Sequence, residues 1–339
     1  MRAANLLTSD GTDPNHSRAC RLSDRRLVPE QGATEGLQIV VDAGRGGEAQ
    51  VAEDGSGRLD DQAFAEWLAE RAGGTLTALR ASRGHADPAA LKDAGDRASH
   101  ELMLTALSRW RSGDAVLSEE QTDARRAWSA GEGPARLAAD RVWIIDPLDG
   151  TREFSEAGRT DWAVHVALWQ RSAGPEGALT AGAVALPARS TLDGAPLVLG
   201  TRSTAAPATD EPLRIAVSRS RPPAFVGELV EQVRGRSVPM GSAGVKVCAV
   251  VTGEVDAYVH AGGQYEWDSA APVAVALAAG MHASRIDGSP LRYNRADPRL
   301  PDLLVCRPEI ADRLLDAIAR TDVEMPASSS SGGAGQAFG

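Results

Sequence analysis

The chain changes texture near Leu59, where apolar residues begin to recur at helical spacing. Asp60 or Asp61 can cap a helix that carries Phe64, Trp67, Leu68 and Ala72 on one face. A second helix is expected from about Gly95 to Trp110, with Leu102, Met103, Ala106, Leu107 and Trp110 as its apolar stripe. The pattern then shortens. Val142–Asp146 reads as a buried strand, and Trp162–Trp169 and Ala178–Leu186 as antiparallel partners around a turn at Gly174-Pro175. Leu213–Val217 is the next strand, followed by helices over Ala224–Val233 and Gly244–Val251, a strand over Ala257–His260 and a helix over Asp268–Ala279. His282–Ile286 and Leu291–Asn294 flank an Asp287-Gly288 turn, and Leu303–Cys306 and Ile310–Ala319 close the chain as strand and helix. Strands and helices alternating in blocks predict a mixed α/β fold of layered sheets and helices.

Two halves are expected, residues 58–205 and 206–325. Residues 1–57 mix Asp, Arg, Gly and Ser around one short apolar run and read as mostly disordered. An over-long gene start, or a weakly held strand at Leu37–Val41, are the alternatives. The Ser/Gly/Ala-rich tail, 326–339, is expected to be flexible. The formal charge is −10, from 46 acidic and 36 basic residues, which removes the basic footprint of a nucleic-acid binder. Cys20, Cys248 and Cys306 are odd in number and form no C-x-x-C pair, against a disulfide framework or zinc ribbon. Cys248 and Cys306 lie in apolar stretches and read as buried thiols. No apolar run reaches the roughly 18 residues of a membrane span, and no secretory h-region is visible, so a cytoplasmic setting is expected.

Three acidic clusters carry the chemistry: Ser118-Glu119-Glu120, Trp143–Thr151 with the core Asp146-Pro147-Leu148-Asp149-Gly150-Thr151, and Glu266-Trp267-Asp268-Ser269-Ala270-Ala271. The apolar run from Val142 ends at Asp146, so that carboxylate sits at the C-terminal edge of a strand. Pro147 stiffens the exit, Asp149 follows three residues on, and Gly150 permits a tight turn. Gly150 and Thr151 then present backbone N–H groups at the start of a helical turn, a ready anion site. Two carboxylates beside an anion cradle repel unless a cation lies between them, and hard oxygen donors next to phosphate suit Mg²⁺. Alone, D-x-x-D-G-T is more often an Asp-rich turn capping a helix; the nine-residue string is what favours the metal.

Trp143–Thr151, continued by Arg152-Glu153-Phe154, resembles the metal-binding motif of the inositol-monophosphatase superfamily, in the form of its bisphosphate-nucleotidase (CysQ-type) branch. Ser118-Glu119-Glu120 is similar to the family's upstream acidic motif, and Trp267-Asp268-Ser269-Ala270-Ala271 to its downstream W-D-x-A-x motif. The resemblance spans about residues 58–322 and implies an α-β-α-β-α sandwich. It implies Glu119, Asp146, Asp149, Asp268 and the Leu148 carbonyl as ligands of two or three Mg²⁺ ions. Glu120 is then a solvated neighbour or a group supporting the ligands from behind, and Asp268 considered alone would be a helix cap.

The resemblance further implies an early Asp that orients the attacking water with Thr151. Asp96 is the candidate and Asp93 the fallback, because the run before Asp96 lacks the family's usual Thr; capping of the second helix is the alternative role for Asp96. Glu119 could also orient or deprotonate the water. Val217-Ser218-Arg219-Ser220 and Gly241-Ser242-Ala243-Gly244-Val245-Lys246 resemble nucleotide-side loops, so Arg219 and Lys246 could meet a second phosphate and Ser242 a sugar or base. Gly150 and Thr151 would hold the reacting phosphate, and His260 and Tyr265 could border the same pocket, while His165 reads as a satisfied core residue. The implied activity is Mg²⁺-dependent phosphate-monoester hydrolysis. The implied substrate is 3′-phosphoadenosine 5′-phosphate or its sulfated relative, with lithium sensitivity, a place in sulfate assimilation and a homodimer also implied. A sugar phosphatase acting on inositol monophosphate or fructose 1,6-bisphosphate is the first alternative, and a non-catalytic phosphate-ligand sensor the second.

Overall fold

The computed structural model describes residues 59–120, 135–206 and 212–321. The expectations for residues 1–57 and 326–339 lie outside the described residues. Helix α1, Asp61–Arg83, starts where the sequence places it: Asp60 is the N-cap and its carboxylate accepts from Ala63 N–H at 2.7 Å. Helix α2, Pro88–Trp110, starts about two turns before Gly95. Asp87 caps it, accepting from Ala90 N–H at 3.0 Å, with Pro88 in the first turn. Asp96 is therefore an interior residue of α2 and not its cap. Gly95 is no helix breaker here. A Cβ at this position would lie 2.8 Å from the Phe154 ring and 3.0 Å from Leu148, so glycine lets α2 press onto the acidic loop.

Five strands form the first sheet, in chain and spatial order: β1 Ala115–Ser118, β2 Arg141–Asp149, β3 Ala163–Gln170, β4 Ala178–Ser190 and β5 Pro196–Gly200. β1 runs parallel to β2; the other pairings are antiparallel. The short helix α3, Thr151–Ser155, leaves directly from β2. The second sheet holds β6 Arg214–Ser218, β7 Arg236–Met240, β8 Ala257–Ala261, β9 His282–Ser284 and β10 Asp302–Cys306, in the order β7-β6-β8-β10-β9. Its helices are α4 Val226–Gln232, α5 Ala243–Val251, α6 Glu266–Ala278 and α7 Ala311–Ile318. The expected strand at Leu291–Asn294 does not form. Gly288 makes the turn (φ +79°), but β9 pairs with β10, and Asn294 and Arg295 are held instead by Glu266, each donating its N–H at 2.7 Å.

Why the strands lack a polar face follows from the layers. On β2, Trp143 and Ile145 pack against α1 and α2 through Phe64, Leu68 and Met103. Val142 and Ile144 face the other way, into a core shared with Val247 and Val251 of α5, Val273 and Ala276 of α6, and Tyr258 and Val305 of the second sheet. The far face of the second sheet, with Ile215 and Leu304, packs on Leu229 of α4 and Leu314 of α7. A sheet buried on both faces selects continuous apolar runs, as at Val142–Ile145. The order is helices, sheet, helices, sheet, helices, and α5 and α6 lie in the middle layer, between the sheets. Cys248 and Cys306 are buried free thiols, as expected.

Candidate active site

The parallel pairing of β1 with β2 aligns Ser118 with Ile145, so Glu119, just past the end of β1, comes beside Asp146 in the C-terminal part of β2. The β2–β3 register then slips between Asp146 and Asp149, which keeps both carboxylates on one side of the strand end. From the middle layer, the first turn of α6 brings Asp268. One carboxylate oxygen from each of Asp146, Asp149 and Asp268 lies within 4.8 Å of the others. Asp268 is the third residue of its helix, not the first; its Oδ2 accepts from the N–H of the N-cap Tyr265 at 2.7 Å. The capping role and the place in the acidic cluster coexist.

These carboxylates are not equivalent. Burial, and repulsion from Glu119, Asp149 and Asp268, hold Asp146 well above the usual carboxylate range. Burial and Asp149 push Asp268 up to about 7. Burial alone would raise Asp149 as well, yet its carboxyl is held low by His165, Ser242 and Gly244. Asp149 Oδ2 lies 3.2 Å from His165 Nε2 and accepts from Ser242 Oγ at 2.5 Å and Gly244 N–H at 2.7 Å. His165 Nδ1 faces the Trp267 carbonyl at 3.0 Å, so the proton on that nitrogen is fixed, and Asp149 raises the affinity of the other nitrogen for a proton against the opposing effect of burial. His165, expected as a plain core residue, thus orients Asp149; nothing in local sequence marks it, because the contact depends on cross-strand placement.

The turn itself is tied down from three sides. Leu148 N–H donates to Asp146 Oδ1 at 3.0 Å, Thr151 Oγ1 donates to the Leu148 carbonyl at 3.1 Å, and Ser99 Oγ of α2 donates to the Pro147 carbonyl at 2.7 Å. Gly150 adopts φ +86°, and a Cβ there would lie 3.1 Å from the Asp161 carbonyl, so only glycine fits without strain. Asp96 is half-buried, and burial with repulsion from Glu120 and Glu119 raises it to about 7; Asp93 is exposed. Among the described residues no hydrogen bond joins Asp96 to Thr151. Glu120 is exposed, as its expected solvated role requires.

A cavity of about 520 Å³ opens beside the cluster. Asp149, Gly150, Thr151, Ser242, Lys246, His260 and Asp268 line it. Arg219 and Tyr265 are not among its lining residues. Tyr265 stacks on Trp267, 4.6 Å between centroids and 6° between planes. Arg219 is engaged with Glu153 and Glu156. Lys246 is buried; its Nζ donates to the carbonyls of Ser242 (2.6 Å) and Gly241 (3.2 Å), so it staples the turn that delivers Ser242 to Asp149. Lys92, Arg152 and Arg221 line the cavity and were not anticipated. A cation three residues past a strand end carries no signal of its own in sequence, which is why Arg221 was missed.

The sequence matches the profile of the Inositol monophosphatase family over residues 61–321. The chain belongs to the inositol monophosphatase family. It is 56% identical over 252 residues to the 3′-phosphoadenosine 5′-phosphate phosphatase of Mycobacterium bovis, covering 73% of this chain and 89% of that one. It is 29% identical over 209 residues to the 3′(2′),5′-bisphosphate nucleotidase CysQ of Escherichia coli K12, covering 59% and 78%. Among solved structures it is similar to Mycobacterium tuberculosis SuhB, with TM-score 0.54, 25% identity, and coverage of 76% of this chain and 95% of that one. The layered fold is that of inositol monophosphatases, and the chain is a phosphoric monoester hydrolase of this family. Among the described residues no helix is long and apolar enough to cross a membrane.

The donor set fits a hard divalent cation. Three clustered carboxylates, two of them pushed up by burial and mutual repulsion, are held together by the fold at a cost that a cation between them relieves.

Proposed function

We propose that this chain hydrolyses the 3′-phosphate of 3′-phosphoadenosine 5′-phosphate, or of its sulfated relative, with Mg²⁺ as cofactor. The observation that carries the reading is a cavity lined both by Asp149 and Asp268 of the acidic cluster and by the cations Arg152, Arg221 and Lys246, as a substrate with a second anionic group requires. The activities named for the mycobacterial and E. coli relatives agree with it.

In this reading Glu119, Asp146, Asp149, Asp268 and the Leu148 carbonyl hold the metal. When bound, Mg²⁺ supplies Lewis acidity, making water more acidic and countering charge on the phosphoryl oxygens. The chain's own residues do the rest. Gly150 and Thr151 N–H groups receive the phosphate, Asp96 with Thr151, or Glu119, takes the proton from the attacking water, and His165 with Ser242 keeps Asp149 ionised and oriented. Water oxygen bonds to phosphorus, the P–O ester bond breaks, and the ribose oxygen leaves with a proton, giving adenosine 5′-phosphate and inorganic phosphate. Arg221 and Lys246 face the 5′-phosphate, and His260 and Ser242 the sugar or base. Lithium sensitivity, a cytoplasmic setting, a role in sulfate assimilation and a homodimer complete the proposal.

Phosphate release from a panel of 3′-phosphoadenosine 5′-phosphate, inositol 1-phosphate and fructose 1,6-bisphosphate, with and without Mg²⁺, tests it. The nucleotide should give the highest kcat/KM. A higher value for either sugar phosphate overturns the substrate assignment and leaves the metal site standing.

A further inference from the structure

We propose that Arg219 is a positioning residue that neutralises and fixes Glu153, a carboxylate on the wall of the substrate cavity, and does not itself touch the substrate; this rests on the phosphatase reading. Glu153 lines the cavity with its side chain only 6% exposed. A buried carboxylate on the wall of a pocket that must admit a phosphate dianion opposes binding unless its charge is matched. Arg219 matches it. Nη2 lies 2.7 Å and Nε 3.2 Å from Glu153 Oε1, and the same Nη2 reaches Glu156 Oε1 at 3.0 Å.

The backbone explains why Arg219 takes this part and its neighbours do not. At the end of β6, Ser218 and Ser220 line the cavity while Arg219, between them, does not. The Arg219 N–H is pinned to the Met240 carbonyl at 3.0 Å, which fixes the origin of the side chain. Glu153 in turn backs Gly241. A Cβ on Gly241 would lie 2.8 Å from Glu153 Oε1, and Gly241 N–H donates to Asp161 Oδ2 at 2.6 Å. The Arg219–Glu153 pair therefore holds the charge of the wall and the place of the Gly241-Ser242 turn together, and joins α3 of the first half to β6 of the second. Arg221, which lines the cavity, is left to meet the anionic ligand.

The test is steady-state phosphate release by the full chain with Mg²⁺ and 3′-phosphoadenosine 5′-phosphate, for the native protein, Arg219→Met, Glu153→Gln and the double variant. Arg219→Met should raise KM by roughly tenfold and lower kcat by less than about threefold, because an unmatched carboxylate now faces the ligand. Adding Glu153→Gln should return KM to within about threefold of native, since no charge remains to screen. If the double variant stays as weak as Arg219→Met, and Glu153→Gln alone tightens binding, Arg219 contacts the substrate and the proposal is overturned. Should Arg219→Met not fold, Arg219→Lys keeps the charge without the fork; a KM rise well below tenfold supports screening, and a full tenfold rise opposes it. A native protein that releases phosphate from no ester sinks the phosphatase reading instead. Affinity for inorganic phosphate with Mg²⁺, measured by calorimetry on the same four proteins, then decides the role of Arg219 by the same ordering.

Discussion

Gly244→Ala pits two opposite effects against each other, and the structure decides the sign. Gly244 lies in the first turn of α5, where replacing glycine by alanine ordinarily stabilises a helix by about 0.5–1 kcal/mol. Here the added Cβ would fall inside van der Waals contact of His165 Nε2, 2.9 Å from Cε1 and 3.0 Å from Cδ2. His165 cannot yield: it is fully buried, its Nδ1 is tied to the Trp267 carbonyl, and its Nε2 faces Asp149. Overpacking against a fixed group costs about 1–3 kcal/mol, and separating a buried pair costs roughly 3 kcal/mol or more. The clash wins, by about 2 kcal/mol or more after the helix gain, which for a body of this size lowers Tm by about 4–8 °C. Thermal unfolding followed by circular dichroism, in EDTA to remove any metal contribution, reads this directly. His165→Ala removes the obstacle, so the double variant should be less damaged than the two single losses added together. A Gly244→Ala protein with native or higher Tm, or strictly additive losses, would refute the packing argument.

Three further outcomes are expected. Asp146→Asn removes a buried charge repelled by Glu119, Asp149 and Asp268, so in EDTA it should unfold at a higher temperature than native, while phosphate release with Mg²⁺ falls by roughly a hundredfold or more; Mg²⁺ should raise Tm for the native protein and much less for the variant, and an equal rise in both would remove Asp146 from the metal site. Burial, helped by the Lys246 and Arg221 cations, pushes His260 from 6.5 down to about 4. The unfolded chain therefore binds this proton first, and stability falls as pH drops from about 6.5 toward 4, by up to about 3 kcal/mol. Urea unfolding at pH 7 and 4.5 should show a smaller acid loss for His260→Asn than for native, and identical losses would count against a buried neutral imidazole. Burial lifts both the Cys248 and Cys306 thiols to about 12, so a Cys20→Ser protein should resist Ellman's reagent at pH 8 when native and release two thiols in urea; rapid labelling of the native protein would contradict their burial.

Much of the fold was readable because its strands are buried on both faces and its motifs are short in sequence. Asp146 and Asp149 sit three residues apart on one strand end, and Asp268 announces itself beside Trp267. What escaped was set by tertiary placement. β1, β5 and β7 are short edge strands; Arg236–Met240 contains a proline and begins with a charge, and nothing local distinguishes it from a loop. The true start of α2 was in plain view as Asp87-Pro88, but the helix was begun at Gly95, whose role is close approach to Phe154. The hairpin expected after Asp287-Gly288 lost to Glu266, whose carboxylate collects the Asn294 and Arg295 amides. For the site, residue type was legible and orientation was not. Arg219 and Arg221 are equally good anion ligands on paper; what separates them is that Arg219 is taken up by Glu153 and Glu156 while Arg221 lines the cavity. The service of His165 to Asp149 needs the β3 register and the glycine at 244, which no linear pattern records.

The acidic side chains of the cluster come from chain positions running from Glu119 to Asp268, on two adjacent layers of the sandwich. In the proposed reading, chelation is consequently a late event in the life of each molecule. A nascent chain that has finished the first sheet still lacks α6, and so has neither a closed cage for the ion nor a hydrolytic centre. Any cation captured there reports completed folding, and its binding energy acts on the whole sandwich at once, not on a single loop. Withdrawal of the ion should thus loosen the boundary between the first sheet and the middle helices before it disturbs either sheet's own pairing, a pattern that hydrogen exchange along α6 would register first.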